Sequence, residues 1–143
     1  MTEFRHTPLE QQVQALQRTQ QLGLDKLGLQ FRTFGAPFNA SDATTVSALQ
    51  QTDELCVWLY GLPQEHIFVL ERTGNIEYPV HRPNYEKFLQ NCRTDVDYLT
   101  LQMHPDSWDA ADFAEFARCI DELIAQGARF ELPYSYFLST REA

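Results

Sequence analysis

Tyr98-Leu99-Thr100-Leu101-Gln102-Met103-His104-Pro105-Asp106-Ser107-Trp108 is the stretch on which the fold assignment turns. Its apolar run predicts a buried strand over Asp97 to Met103 that ends on His104. Pro105 then sets how the loop leaves. A titratable side chain at the exit of a βα strand lies where α/β proteins keep their ligands. Histidine exchanges protons near neutral pH and binds metals, so His104 is a candidate general acid or metal ligand. The competing reading is a histidine that caps the next helix or bonds a loop carbonyl.

Working outward, Asp109 is placed to cap a helix in which Phe113, Phe116, Ile120, Leu123 and Ile124 form one apolar stripe. Gly127 ends it. Ala128 to Leu132 reads as a last strand, stopped by Pro133. Upstream, Pro83-Asn84 starts a helix carrying Tyr85, Phe88 and Leu89. Ile76 to Val80 reads as a short strand after a Gly74-Asn75 turn, and Ile67 to Leu70 as another. Glu54 to Tyr60 is nearly continuous in apolar residues, as in a strand covered on both faces. Leu29 to Phe34 is a further strand. It exits into a turn-rich loop whose Asp42 caps a helix to about Gln51. At the start, Thr7-Pro8-Leu9-Glu10 reads as a capping box with proline at the first helical position. The helix spans about residues 8–27, with Leu9, Val13, Leu16, Leu24 and Leu27 at helical spacing. Gly28 closes it.

Alternating helices and strands predict an α/β fold: a partial (β/α) barrel, or an open, mostly parallel sheet flanked by about four helices. The 143 residues read as a single domain, 1–143, with enough chain to bury roughly 70% of the unfolded surface. The net charge of −9 argues against nucleic acid and anionic membranes, because phosphate binding needs a basic face. Cys56, Cys92 and Cys119 are odd in number and widely spaced. Cys56 and Cys119 read as core residues, and a reducing, cytoplasmic setting fits. No signal peptide and no membrane-spanning run is visible.

Further candidates sit at the other strand exits. His81 and Arg82 follow the Ile76–Val80 run, and with His104 they would make a polar pocket; a solvated loop is the plain alternative. Pro37, Phe38 and Asn39 leave the first strand and would form a pocket wall or an ordinary turn. Tyr60 ends the second strand, while Trp58 reads as core. Trp108 would stack on a sugar or cover the start of the following helix. No spacing of metal ligands, phosphate loop, dinucleotide fingerprint or serine-hydrolase elbow occurs.

Taken in order, these segments resemble the C-terminal half of the polysaccharide deacetylase family. Glu3-Phe4 and the first helix look like the segment after that family's metal-binding histidine motif. Thr33-Phe34-Gly35-Ala36-Pro37-Phe38-Asn39 looks like its third motif, a groove wall. Leu101-Gln102-Met103-His104-Pro105 looks like its fifth, and Gly127 to Pro133 looks like its last strand. The resemblance implies a distorted (β/α) barrel that removes N-acetyl groups from sugars by metal-assisted hydrolysis. It implies His104 as the catalytic acid and Pro37, Phe38 and Asn39 as a substrate-binding groove wall, to which the strand-exit residues Tyr60, His81, Arg82 and Trp108 add further substrate-binding candidates. The family's Thr-Phe-Asp-Asp and His-x-x-x-His motifs, which carry the base and the ligands of a zinc-like divalent metal, are absent. They would lie upstream of Met1. No metal ligand or cofactor is therefore expected in this chain unless an N-terminal partner supplies one. Half a barrel has open sheet edges, so a homodimer or an N-terminal deacetylase half is the expected partner. The alternative is a non-catalytic module that binds carbohydrate or protein.

Overall fold

A computed structural model describes residues 2–93 and 95–142. Residues 2–71 and 131–142 form one compact unit, and residues 72–130 form a second.

The first unit is built on a three-stranded parallel sheet. Helix α1 (Leu9–Leu27) precedes strand β1 (Thr33–Gly35), and helix α2 (Ala43–Leu49) leads to β2 (Val57–Leu59) and β3 (Phe68–Leu70). The sheet order is β1-β2-β3, both pairings parallel. The register sets Phe34 beside Trp58 and Trp58 beside Val69. Side chains alternate along a strand, so these three share one face. That face meets Phe4, Leu16, Ala48, Leu49 and Leu55 in an apolar core. Trp58 and Val57 are fully buried, as the apolar run predicts for a strand covered on both sides. Trp58 is the core residue the sequence suggests, and its indole lies 2.3 Å from where a Cβ on Gly61 would stand. Phe68 packs on Tyr136 and Phe137 of helix α5 (Pro133–Glu142), with ring centres 6.2 and 5.5 Å apart.

The first helix is where the pattern predicts it, and Gly28 ends it in the left-handed conformation (φ 65°). Its buried face differs from the leucine stripe. Gln12, Leu16, Gln20 and Gly23 turn inward, while Leu9, Leu24 and Leu27 are exposed. The two glutamines are buried because each stands in for backbone pairing. Gln20 exchanges hydrogen bonds with Phe31, its Nε2 donating to the carbonyl and its Oε1 accepting from the N–H, both at 2.8 Å. Gln12 Nε2 donates to the carbonyls of Phe4 (3.0 Å) and Thr7 (2.8 Å). The expected capping box is absent: Pro8 is the N-cap and makes no side-chain cap bond. The Thr7 hydroxyl donates instead to the Thr2 carbonyl. Asp42 does cap α2, accepting from the N–H groups of Thr44 and Thr45.

The second unit holds helices α3 (Tyr85–Asn91) and α4 (Ala110–Ala125). Asp109 caps α4 as expected, and Asn84, where α3 is expected to start, caps it by accepting from the Lys87 N–H. Their core is Ile76, Phe88, Cys119 and Leu123, with Leu99, Leu101 and Trp108 packed against it. Phe113 and Ile124 of the predicted stripe are half exposed. Cys119 is fully buried, and burial pushes its thiol up to about 11. Cys56 is half-buried just before β2, its Sγ donating to the Glu54 carbonyl at 3.4 Å.

Three expected strands do not form. Asp97–Met103 makes a single parallel bridge, Leu101 to Gly74. Next to it the Asn75 side chain takes up the Glu77 N–H and carbonyl, and no ladder extends. Leu101 instead fills the space above Gly74, where a Cβ would meet its Cδ2 at 2.7 Å. Ile76–Val80 is a tight loop closed by an antiparallel bridge between Glu77 and Pro83. Tyr78 N–H donates to the Arg82 carbonyl and Arg82 N–H to the Pro79 carbonyl. Ala128–Leu132 is irregular and exposed, with Phe130 and Leu132 more than half accessible. Pro133 starts α5 rather than stopping a strand, since its fixed φ suits a first helical turn. The described residues thus carry five α-helices and a small open parallel sheet, a mixed α/β fold. No helix of the described residues is long and apolar enough to cross a membrane.

Candidate functional site

The second unit gathers its polar chemistry around Glu77. This residue is 2% exposed, and all its side-chain bonds come from loop residues that no sheet holds. Oε1 accepts from the His104 N–H at 2.6 Å and from the Trp108 indole N–H at 3.2 Å. Oε2 accepts from the His81 N–H at 3.0 Å and lies 2.7 Å from His104 Nδ1. Asn75 fixes the carboxylate's own backbone, its Oδ1 accepting from the Glu77 N–H and its Nδ2 donating to the Glu77 carbonyl.

Burial alone would raise the Glu77 carboxyl. The bonds from the His104 ring and from the His81 and His104 N–H groups outweigh it and hold the carboxyl below the ordinary glutamate value. An ionised carboxylate only accepts, so the proton in the 2.7 Å contact belongs to His104 Nδ1. That leaves Nε2 as the nitrogen that can bind or release a proton on a ligand. An imidazole held in one tautomer by a buried carboxylate is equipped for general acid–base work.

His81 joins His104 directly. The ring centres are 4.7 Å apart with a 50° tilt. His81 stands in a left-handed backbone conformation, φ 70°, which is uncommon outside glycine. Its Nδ1 is 3.2 Å from Ser107 Oγ and 3.8 Å from Asp106 Oδ1. The neighbouring Arg82 turns to α4, where its Nη1 pairs with Asp112 and lies 3.7 Å from Asp109 Oδ2. Asp109 is held below the usual carboxylate range, first by the Asp112 and Ala111 N–H groups it caps, with Arg82 adding a smaller pull. Trp108 covers the start of α4, with ring centres 5.3 Å from Phe113 and 5.4 Å from Phe116.

His81, Arg82, His104 and Trp108 therefore share the second unit. Pro37, Phe38, Asn39 and Tyr60 belong to the first, at the carboxyl edge of its sheet. Gly35 pairs with Leu59, so the Pro37–Asn39 turn and Tyr60 leave neighbouring strands at the same end. Phe38, Asn39 and Tyr60 all have positive φ, between 52° and 57°, and Phe38 is 87% exposed. Strained backbone of this kind at a strand exit is found where ligands are held. A cleft of about 840 Å³ in the same unit lies elsewhere, lined by Cys56, His66, Phe137 and Arg141 among others.

Glu77, Asp106 and Ser107 are the residues sequence reasoning passes over. The signal for Glu77 is a lone carboxylate between Ile76 and Tyr78 in an apolar run, which needs a partner if buried. Among the described residues no three His, Cys, Asp or Glu side chains converge to hold a metal ion. Among the described residues no Asp-His-His set of the kind the deacetylase resemblance implies comes together. Comparison with protein-family models, with curated proteins and with solved structures gives no match.

Proposed function

We propose that this chain is a polysaccharide-deacetylase-like protein whose second unit holds an acid–base site for an N-acylated sugar. What supports the reading is the Glu77–His104 pair: a buried carboxylate accepts from Nδ1 and leaves Nε2 to take up a proton, and the imidazolium so formed gives that proton to a departing amine. Glu77 and the His81 N–H orient this acid; His81 and Trp108 border it, and Arg82, paired with Asp112 on α4, is a further sugar contact on this proposal. Pro37, Phe38, Asn39 and Tyr60 are proposed as sugar contacts of the first unit. The small parallel sheet with its helices is, on this proposal, part of a (β/α) barrel wall, in a cytoplasmic protein.

The ligand set for a hydrolytic metal has to come from a separate N-terminal half, so the chain by itself binds sugar without hydrolysing it. That makes the non-catalytic carbohydrate module the second reading, favoured by the lack of three converging ligands among the described residues. Pairing with a second copy would cover the free edges of β1 and β3.

Titration of the labelled chain with N-acetylglucosamine oligomers, followed by NMR, is expected to move the His81, His104 and Trp108 side-chain signals, with the response lost in His104→Ala. No response to N-acylated sugars overturns the carbohydrate reading. Acetate release by the chain with zinc alone would overturn the two-part reading.

A further inference from the structure

The two imidazoles of the second unit carry an inference of their own. In each ring Nδ1 already has a partner: Glu77 Oε2 at 2.7 Å for His104 and Ser107 Oγ at 3.2 Å for His81. The nitrogen left over is Nε2 in both. The rings are too tilted for a face-to-face stack, at 50°. A metal–nitrogen bond of about 2.0–2.1 Å puts an imidazole centre about 3.2 Å from the ion. Two rings on one ion at about 95° then lie ~4.7 Å apart, and a tetrahedral angle adds about 0.5 Å. The observed separation is 4.7 Å. Both side chains reach solvent, at 47% and 32% exposure. A carboxylate behind the ring is also how proteins fix the orientation of a metal-binding histidine.

We propose that His81 Nε2 and His104 Nε2 together bind one divalent transition-metal ion of the zinc type, with water completing the shell. Imidazole favours such ions over magnesium or calcium, which prefer oxygen. The exposed Asp106, on the Nδ1 side of His81, adds negative charge nearby. With only two protein ligands the site is open and exchangeable, unlike the three-ligand set of the deacetylase resemblance. The ion would take the same Nε2 that the proposed acid uses, so the two uses exclude each other.

The test uses the full chain with zinc chloride or magnesium chloride alone. NMR of the imidazole nitrogens is expected to show one equivalent of zinc moving Nε2 of both His81 and His104, with His6 and His66 unmoved and magnesium without effect. Calorimetry is expected to give one ion per chain in the wild type and in the His6→Ala/His66→Ala variant. Binding falls at least about 10-fold in His81→Ala and about 10- to 100-fold in Glu77→Gln. Zinc shifts confined to one ring, shifts at His6 or His66 instead, or undiminished binding in His81→Ala overturn the proposal. The wild-type spectra need no variant, so a variant that fails to fold leaves the test intact. Sugar titrations on metal-free chain report separately, and failure of one reading is distinguishable from failure of the other.

Discussion

The two units solve the same problem with different materials. In the first, a parallel sheet satisfies the backbone and Trp58, Phe34 and Val69 seal one face into an apolar core. In the second, the described residues form only two isolated bridges, and one buried carboxylate holds the loops in place of a ladder. Glu77 takes two backbone N–H groups, an indole and an imidazole. Order bought from a ladder is spread over many weak bonds, whereas order drawn from one acceptor is lost with one residue. The first arrangement tolerates polar substitution at its edges. The second brings functional side chains together but depends on a single ionisation state.

The largest expected effect tests the apolar half of that contrast. Trp58→Ala should cost about 3–5 kcal/mol, read by chemical denaturation, because it empties a fully buried site. Hydrogen exchange should place the loss in the first unit; an equal loss around Glu77 would break the distinction. Glu77→Ala should cost about 2–3 kcal/mol by leaving buried donors without an acceptor. Its signature is loss of amide protection at His81 and His104, while the sheet amides keep theirs.

Acid should act on the second unit in the same way. The Glu77 carboxyl lies below its ordinary value of 4.5, so folding favours the ionised form. That contribution is complete above pH 4.5 and disappears as pH falls through the lower folded value. Protection at the His81 and His104 amides should fall over this window, and Glu77→Gln should flatten the dependence. Gly74→Ala is expected to cost about 1–2 kcal/mol, since its Cβ would meet Leu101 and only a side-chain shift relieves it. Thermal melting would read it. Asp42→Ala is the smallest change, about 1 kcal/mol from the lost cap of α2. A larger effect there would mean that the first unit also hangs on a single carboxylate.

Legibility in the sequence followed the same division. The apolar run Glu54–Tyr60, whose centre Val57–Leu59 is strand, the caps at Asp42 and Asp109, the helix start at Pro83-Asn84 and the Gly28 stop rest on short-range rules, and the structure has them. Asp97–Met103 and Ala128–Leu132 look like strands by composition, but a strand needs a neighbour, and no periodicity reports whether one is present. Gln12 and Gln20 break the leucine pattern of α1 because each bonds the backbone of the segment before or after the helix, Phe4 and Thr7 for one and Phe31 for the other. His81 and His104 were readable as polar loop residues. Their sharing of one pocket was readable too; the carboxylate between them, and the turn of Arg82 toward Asp112, were not.

By itself, then, the sequence determined where helices α1 to α4 lie, which strand is buried on both faces, and which side chains can carry protons. Those properties depend on residues within a turn or two of one another. Only the tertiary structure decided that Glu77 would be buried, that its charge would orient His104, and that His81 would stand 4.7 Å from it. The reason is physical: burial of a charge is favourable only where enough donors converge on it, and convergence belongs to the folded chain.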